Sequence, residues 1–206
     1  MTDQLFLSIW LAPQNRLAPQ SLKQRLRYFH QMLRLFPFSQ RGQPQTIVTI
    51  RAIDATEPPL LERPLNAPID PEQIIETLQD YTGDDVAQEV DTYWDLWQFD
   101  QDWALAPARI LLSCFGPEFD NGTERGAAEQ EDLRIDFGVD SHYVPRLDVP
   151  GGAKLIESNI RSVLRLVHDI ENALPVEKRL LETESGGNFA DRLQQVLQSG
   201  ESLRTM

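Results

Sequence analysis

Residues 132–139 alternate in type almost without a break. Leu133, Ile135, Phe137 and Val139 are apolar, and Arg134, Asp136 and Gly138 stand between them. A period of two places the first set on one face of a β-strand and the second on the other. Such a strand needs a dry core on one side only, which suits an antiparallel sheet.

Other segments supply neighbours for it. Leu5, Leu7, Ile9 and Leu11 alternate with Phe6, Ser8 and Trp10, so residues 5–11 predict a largely buried strand that Pro13 ends. Residues 46–53 are β-branched and predict a second strand. Tyr93, Trp94, Trp97 and Phe99 favour a strand over 89–99, and 108–115 predicts a buried one closed by Gly116-Pro117. With 132–139 these last two form an expected antiparallel meander.

Elsewhere the spacing changes to that of a helix. Leu22, Leu26, Phe29, Leu33 and Phe36 step by 4, 3, 4, 3 before Pro37. Asp70-Pro71-Glu72-Gln73 opens a helix with Asp70 as cap, Ile74, Ile75, Leu78 and Tyr81 as its apolar face, and Gly83 near its end. After Pro150-Gly151-Gly152, a stripe from Ile156 through Ile160, Val163, Val167 and Ile170 to Leu174 predicts a long helix stopped by Pro175. At about 33 Å it crosses a whole sheet.

A Pro-rich connection over 57–71 and an acidic, mobile loop over 117–131 are expected, and a short C-terminal helix over 188–199 as a possible appendage. The fold class is α+β. One domain over 1–206 holds a single mixed or mostly antiparallel sheet of about five strands, with helices packed on one face in the order β-α-β-α-β-β-β-α-α.

Charge is divided unevenly. Residues 4–53 carry seven bases and no acid, namely Arg16, Lys23, Arg25, Arg27, Arg34, Arg41 and Arg51, whereas 64–108 carry eleven acids and no Lys or Arg. The net charge of −13 disfavours direct nucleic-acid binding and an anionic membrane surface. Cys114 is the only cysteine, which excludes an internal disulfide and a multi-cysteine zinc site. The longest apolar run, near 5–11, is too short for a membrane span, and Met1-Thr-Asp-Gln lacks a basic leader. The expected localisation is cytoplasmic.

The acidic window also holds large rings. Tyr93, Trp94, Asp95, Trp97, Asp100, Asp102 and Trp103 form the candidate partner-binding set. Carboxylates accept hydrogen bonds from Arg and Lys, and aromatic faces attract cations. The competing reading makes the rings core and the acids a solvated edge. As a strand, Tyr93, Asp95, Trp97 and Phe99 point one way while Thr92, Trp94, Leu96 and Gln98 point the other.

Arg134, Asp136, Gly138, Asp140 and His142 share a parity if the strand runs that far, and Asp136, Asp140 and His142 resemble a metal or acid–base set. Its alternative is the wet side of a half-exposed strand. His168-Asp169 lacks the further ligands and the helical fold of a metal-dependent hydrolase. A Cys114–His142 nucleophile pair has nothing near Cys114 to lower its thiol pKa. Gly151-Gly152 offers helix N–H groups to an anion, as any helix start does. The basic first helix is expected to pair with the chain's own acidic middle or with a second copy.

No catalytic residue, metal or cofactor is assigned. The leading expectation is a non-catalytic acidic binding protein (adaptor, inhibitor or immunity-like) for a basic protein partner. The alternatives are a small metal-dependent hydrolase or transferase using Asp136, Asp140 and His142, and a self-assembling structural subunit.

Overall fold

A computed structural model describes residues 3–13, 20–42, 44–121, 130–144, 151–184 and 189. The chain runs β1 (Gln4–Leu11), α1 (Leu22–Leu35), β2 (Thr46–Ala52), β3 (Leu61–Leu65), α2 (Pro71–Leu78), β4 (Val86–Phe99), β5 (Trp103–Phe115), β6 (Leu133–Val139), a 3₁₀ turn (Asp140–His142), α3 (Gly152–Ala173) and β7 (Val176–Thr183). All seven strands join one sheet in the order β3-β2-β4-β5-β6-β1-β7. Every neighbouring pair is antiparallel. The meander of β4, β5 and β6 is present as the alternation implies.

The helix boundaries follow local chemistry. Ser21 and Gln24 form a capping box at the start of α1, with the Ser21 N–H donating to Gln24 Oε1 at 3.0 Å. Phe36 turns extended ahead of Pro37 and ends the helix. The Asp70 carboxylate accepts the Glu72 N–H at 3.0 Å, and Pro71 takes the first helical position. Left-handed Gly151 precedes α3, whose stripe of Ile156, Val163, Val167 and Ile170 is buried.

The expected count of about five strands was too low, and the element order differs accordingly. Both missed strands lie at the sheet edges. β3 falls inside the stretch 57–71 that proline content marked as irregular. An edge strand tolerates Pro64 because one of its sides needs no N–H donor. β7 follows Pro175 and is largely solvated, so its apolar alternation is faint.

At the described ends of the 117–131 loop, Phe119 and Glu131 are both buried. Residues 122–129 lie outside the described residues, as does the 188–199 helix except for Phe189, which is helical and buried.

The main core gathers Leu5, Leu7, Ile9, Val90, Trp94, Ile110, Leu112, Ile135 and Phe137 against Leu22, Phe29, Leu33, Ile74, Val163 and Ile170. These strand positions share one sheet face, and α1, α2 and α3 pack against β5, β2 and β4 respectively. A much smaller apolar group of Ala87, Phe115 and Phe119 forms on the opposite parity. The second sheet face is therefore left largely without helices among the described residues. No described helix is long and apolar enough to cross a membrane.

The two charge blocks meet within the chain. Arg34 on α1 pairs with Glu72 on α2 at 2.7 Å, and Arg51 on β2 pairs with Glu89 on β4 at 3.2 Å. Arg25 turns inward instead. Its guanidinium sits 2.8 Å from Asp132 and donates to the Phe115 carbonyl at 2.6 Å, with both side chains nearly sealed. Internal pairing thus accounts for part of the basic block. Arg16 lies outside the described residues.

Candidate functional site

The β4–β5 hairpin is longer than the sheet that carries it. Pairing runs out to Phe99 opposite Trp103, with Asp100-Gln101-Asp102 as the tip. β2 stops pairing with β4 at Asp91, and β6 pairs with β5 only from Leu111 inward. Beyond those points the two strands continue as an arm about 25 Å long. Pro107 lies in this arm, where β5 has lost its second neighbour and no ladder donor is needed.

Alternation along the arm separates the ring residues as the sequence implied. Trp94 points to the helices, is 7% exposed, and meets Phe36 edge-on at a centroid separation of 5.8 Å. It belongs to the core and leaves the partner-binding set. Tyr93, Asp95 and Trp97 point to the open face and are half-buried. Phe99 and Trp103 lie opposite each other with ring centroids 5.3 Å apart. Asp100 and Asp102 are exposed at the tip.

The inner carboxylates have internal work. Asp91 accepts a bifurcated hydrogen bond from the Arg109 Nε–H, at 2.9 and 3.0 Å to its two oxygens, and a second bond from Nη2 at 2.6 Å. Asp95 accepts from the Ser39 hydroxyl at 2.5 Å and from the Gln40 N–H at 3.0 Å. This folds the 39–42 segment over the arm, where Gly42 approaches Pro107. The Arg109–Asp91 bonds hold the Arg109 pKa above its ordinary value.

Asn159 of α3 braces the arm from behind. Its Oδ1 accepts the Trp97 N–H at 2.9 Å, and its Nδ2 donates to the carbonyls of Trp97 and His142, both at 2.8 Å. One amide thus replaces the missing neighbouring strand at that point. Asn159→Leu is expected to cost about 2 kcal/mol, because two carbonyls and one N–H lose their partner. Urea unfolding measures that loss, and amide exchange at Trp97 is expected to accelerate selectively.

The Asp136, Asp140 and His142 set is not assembled. Gly138 has φ +72°, the strand ends at Val139, and the chain turns into the 3₁₀ segment. Asp140 becomes buried, its carboxylate accepting the Asp3 N–H at 3.2 Å. Burial lowers the His142 pKa, and its buried Nδ1 has no hydrogen-bond partner among the described residues. Among the described residues no group of three or more His, Cys, Asp or Glu side chains is placed to hold a metal.

The nucleophile pair fares no better. Cys114 is 0% exposed on the helix-facing side, and burial pushes its thiol pKa up, opposite to what a reactive thiolate needs. His168 is exposed on α3 and bonds Asn172, while Asp169 lies 4.0 Å from Arg165.

A feature absent from the sequence reading is a pocket of about 100 Å³ on the open face. Its floor is Leu111, Ser113, Arg134 and Asp136, and Phe6, Phe115 and Phe119 form ring walls. Ala55 and Asn121 stand at the rim, where Asp54 and Asp120 make an isolated parallel bridge. Ile53 beside that bridge is 62% exposed and sits at φ +73°, a strained conformation for a β-branched residue. Four strands and two loops contribute, so no contiguous motif could have marked the pocket. The outward parity of Arg134 and Asp136 was the one usable signal.

Comparisons of the chain with protein-family models, curated proteins and solved structures gave no match.

Proposed function

We propose that this protein is a non-catalytic binding protein, of adaptor, inhibitor or immunity-like type, that presents its acidic arm and open sheet face to a basic protein partner. The observation that carries the reading is the arm itself. Exposed Asp100 and Asp102 stand beside Trp97, Phe99 and Trp103, on a hairpin projecting past its neighbouring strands. Carboxylates there steer a cationic surface, and the rings supply contact area and cation–π attraction. Bracing by Asn159 and by the 39–42 segment keeps the arm ordered before a partner arrives, which lowers the entropy cost of binding.

Titration with an oligo-arginine peptide, followed by tryptophan fluorescence, tests this. Saturable binding that weakens with salt is expected. Asp100→Asn together with Asp102→Asn should weaken it about fivefold. Removing two exposed acids from the helical side, Glu76→Gln with Asp80→Asn, should leave it unchanged within about twofold. Equal weakening by both pairs, or no binding at all, would count decisively against the proposal.

A further inference from the structure

The open-face pocket has an unbalanced charge. Glu89 at its edge is matched by Arg51 at 3.2 Å. Arg134 is matched by Glu131, which is fully buried. The Arg134 guanidinium also lies over the rings of Phe6 and Phe115, 5.5 and 5.7 Å from their centroids. Pairwise cancellation leaves Asp136. One of its oxygens accepts the Gly138 N–H at 2.7 Å, and the carboxylate makes no ion pair within 4 Å among the described residues, the Arg134 and Arg109 charges acting on it from further away.

We propose that this pocket receives the cationic end of one lysine or arginine side chain, with Asp136 as its counter-ion and Phe6, Phe115 and Phe119 as its walls. The size is right, since about 100 Å³ admits the end of one side chain and not a drug-sized molecule. The chemistry is right as well. Ring faces attract cations, and the walls already hold one guanidinium, that of Arg134. Asp136 is half-buried, so a cation meeting it is less screened than one at the exposed arm tip.

The pocket lies on the same sheet face as the arm. Trp97, Asp95, Tyr93, Asp91 and Glu89 share one parity of β4 and lead from the tip to the pocket edge. The inference deepens the binding-protein reading and rests on it for the identity of the donor, a basic protein. An amine or guanidine in solution carries the same head group and serves as the probe.

The experiment titrates isotope-labelled protein with n-butylammonium and, separately, with N-ethylguanidinium, using acetate as the anionic control. The Gly138 amide and the Asp136 carboxyl carbon are followed by NMR. Saturable shifts at both nuclei with the cations, and none with acetate, are expected. Asp136→Asn should reduce the cation affinity about tenfold or more, in line with losing one charge-assisted hydrogen bond. Glu76→Gln, which removes an exposed acid on the helical side away from the pocket, should retain it.

The two cations rank the head groups, and saturable binding of either supports the site. Non-saturable drift with both, or equal response to acetate, overturns it. Oligo-arginine binding that depends on Asp100 and Asp102 but ignores Asp136→Asn would overturn the pocket alone. Pocket binding of the small cations without any peptide binding would overturn the binding-protein reading and leave the pocket standing.

Discussion

Arg25→Met is expected to destabilise the protein by about 3–5 kcal/mol at neutral pH. Arg25 is sealed beneath the sheet, where its guanidinium meets Asp132 at 2.8 Å and the Phe115 carbonyl at 2.6 Å. Asp132 in turn accepts the Leu11 N–H at 2.7 Å, so the pair links α1 to β1, β5 and the entry to β6. Methionine fills much of the space but leaves a buried carboxylate without its counter-charge. The desolvation of that charge, rather than the lost attraction, sets the size of the penalty.

The loss should depend on pH in a definite direction. Burial raises the Asp132 pKa above the ordinary carboxylate value, and Arg25 opposes that rise. A raised carboxyl pKa contributes stability below the unfolded pKa, and that contribution disappears as pH rises through the folded pKa. Removing Arg25 raises the folded pKa further. The difference between variant and parent is therefore greatest at neutral pH and shrinks on acidification, once Asp132 is protonated. Guanidinium unfolding at several pH values measures this. Adding Asp132→Asn to Arg25→Met should recover a substantial part of the loss at neutral pH.

Gly116→Ala should cost about 3 kcal/mol, which for a chain of this size lowers the melting temperature by about 6–12 °C. The reason is space rather than backbone conformation. A Cβ at Gly116 would stand 2.7 Å from the Asp84 carbonyl carbon and 2.8 Å from the Val86 carbonyl oxygen, and closer still to the Asp84 oxygen. These are main-chain atoms, and they are held. Gly116 donates to Val86 at 2.8 Å, Glu118 donates to Asp84 at 2.9 Å, and the Asp84 carboxylate accepts the Leu22 N–H at 3.0 Å. Relief of the clash must move the start of β4 or the β5 exit that carries Phe115 and Phe119. The substitution should therefore also perturb the pocket, seen as weaker butylammonium binding under conditions where the variant remains folded. A melting curve within about 1 °C of the parent would contradict this packing argument.

Much of the architecture was legible because its signals are local. The period of two over 132–139, the stripe from Ile156 to Leu174 and the Asp70-Pro71 helix start each report an element through its own residues. β3 and β7 were missed for a common reason. Edge strands bury little, so β7 shows a run of exposed residues and β3 contains a proline that a central strand would reject. Arg25 could not be recognised as buried from α1 alone. Its partner, Asp132, belongs to a distant part of the chain that only the fold brings near.

The candidate site was legible in parity and not in face. Alternation separated Trp94 from Tyr93, Asp95 and Trp97, but only the packing of Phe36 on Trp94 reveals which set looks toward the helices. The expected continuity from Asp136 to His142 fails at Gly138, whose left-handed backbone shifts the register just before the strand ends at Val139, and Asp140 turns inward. The same turn supplies the N–H that holds Asp136, so the residue that dissolves the metal-like set also shapes the pocket.

The most direct measurement is a residue-by-residue map of amide shifts as oligo-arginine is added at low salt. The expected result is a continuous track along β4, β5 and the end of β6, from Asp100 and Trp103 at the tip through Trp97 and Tyr93 to Ser113 and Gly138, with α1 and α3 quiet. Shifts concentrated on the helical side, or spread evenly over every exposed acid, would contradict it.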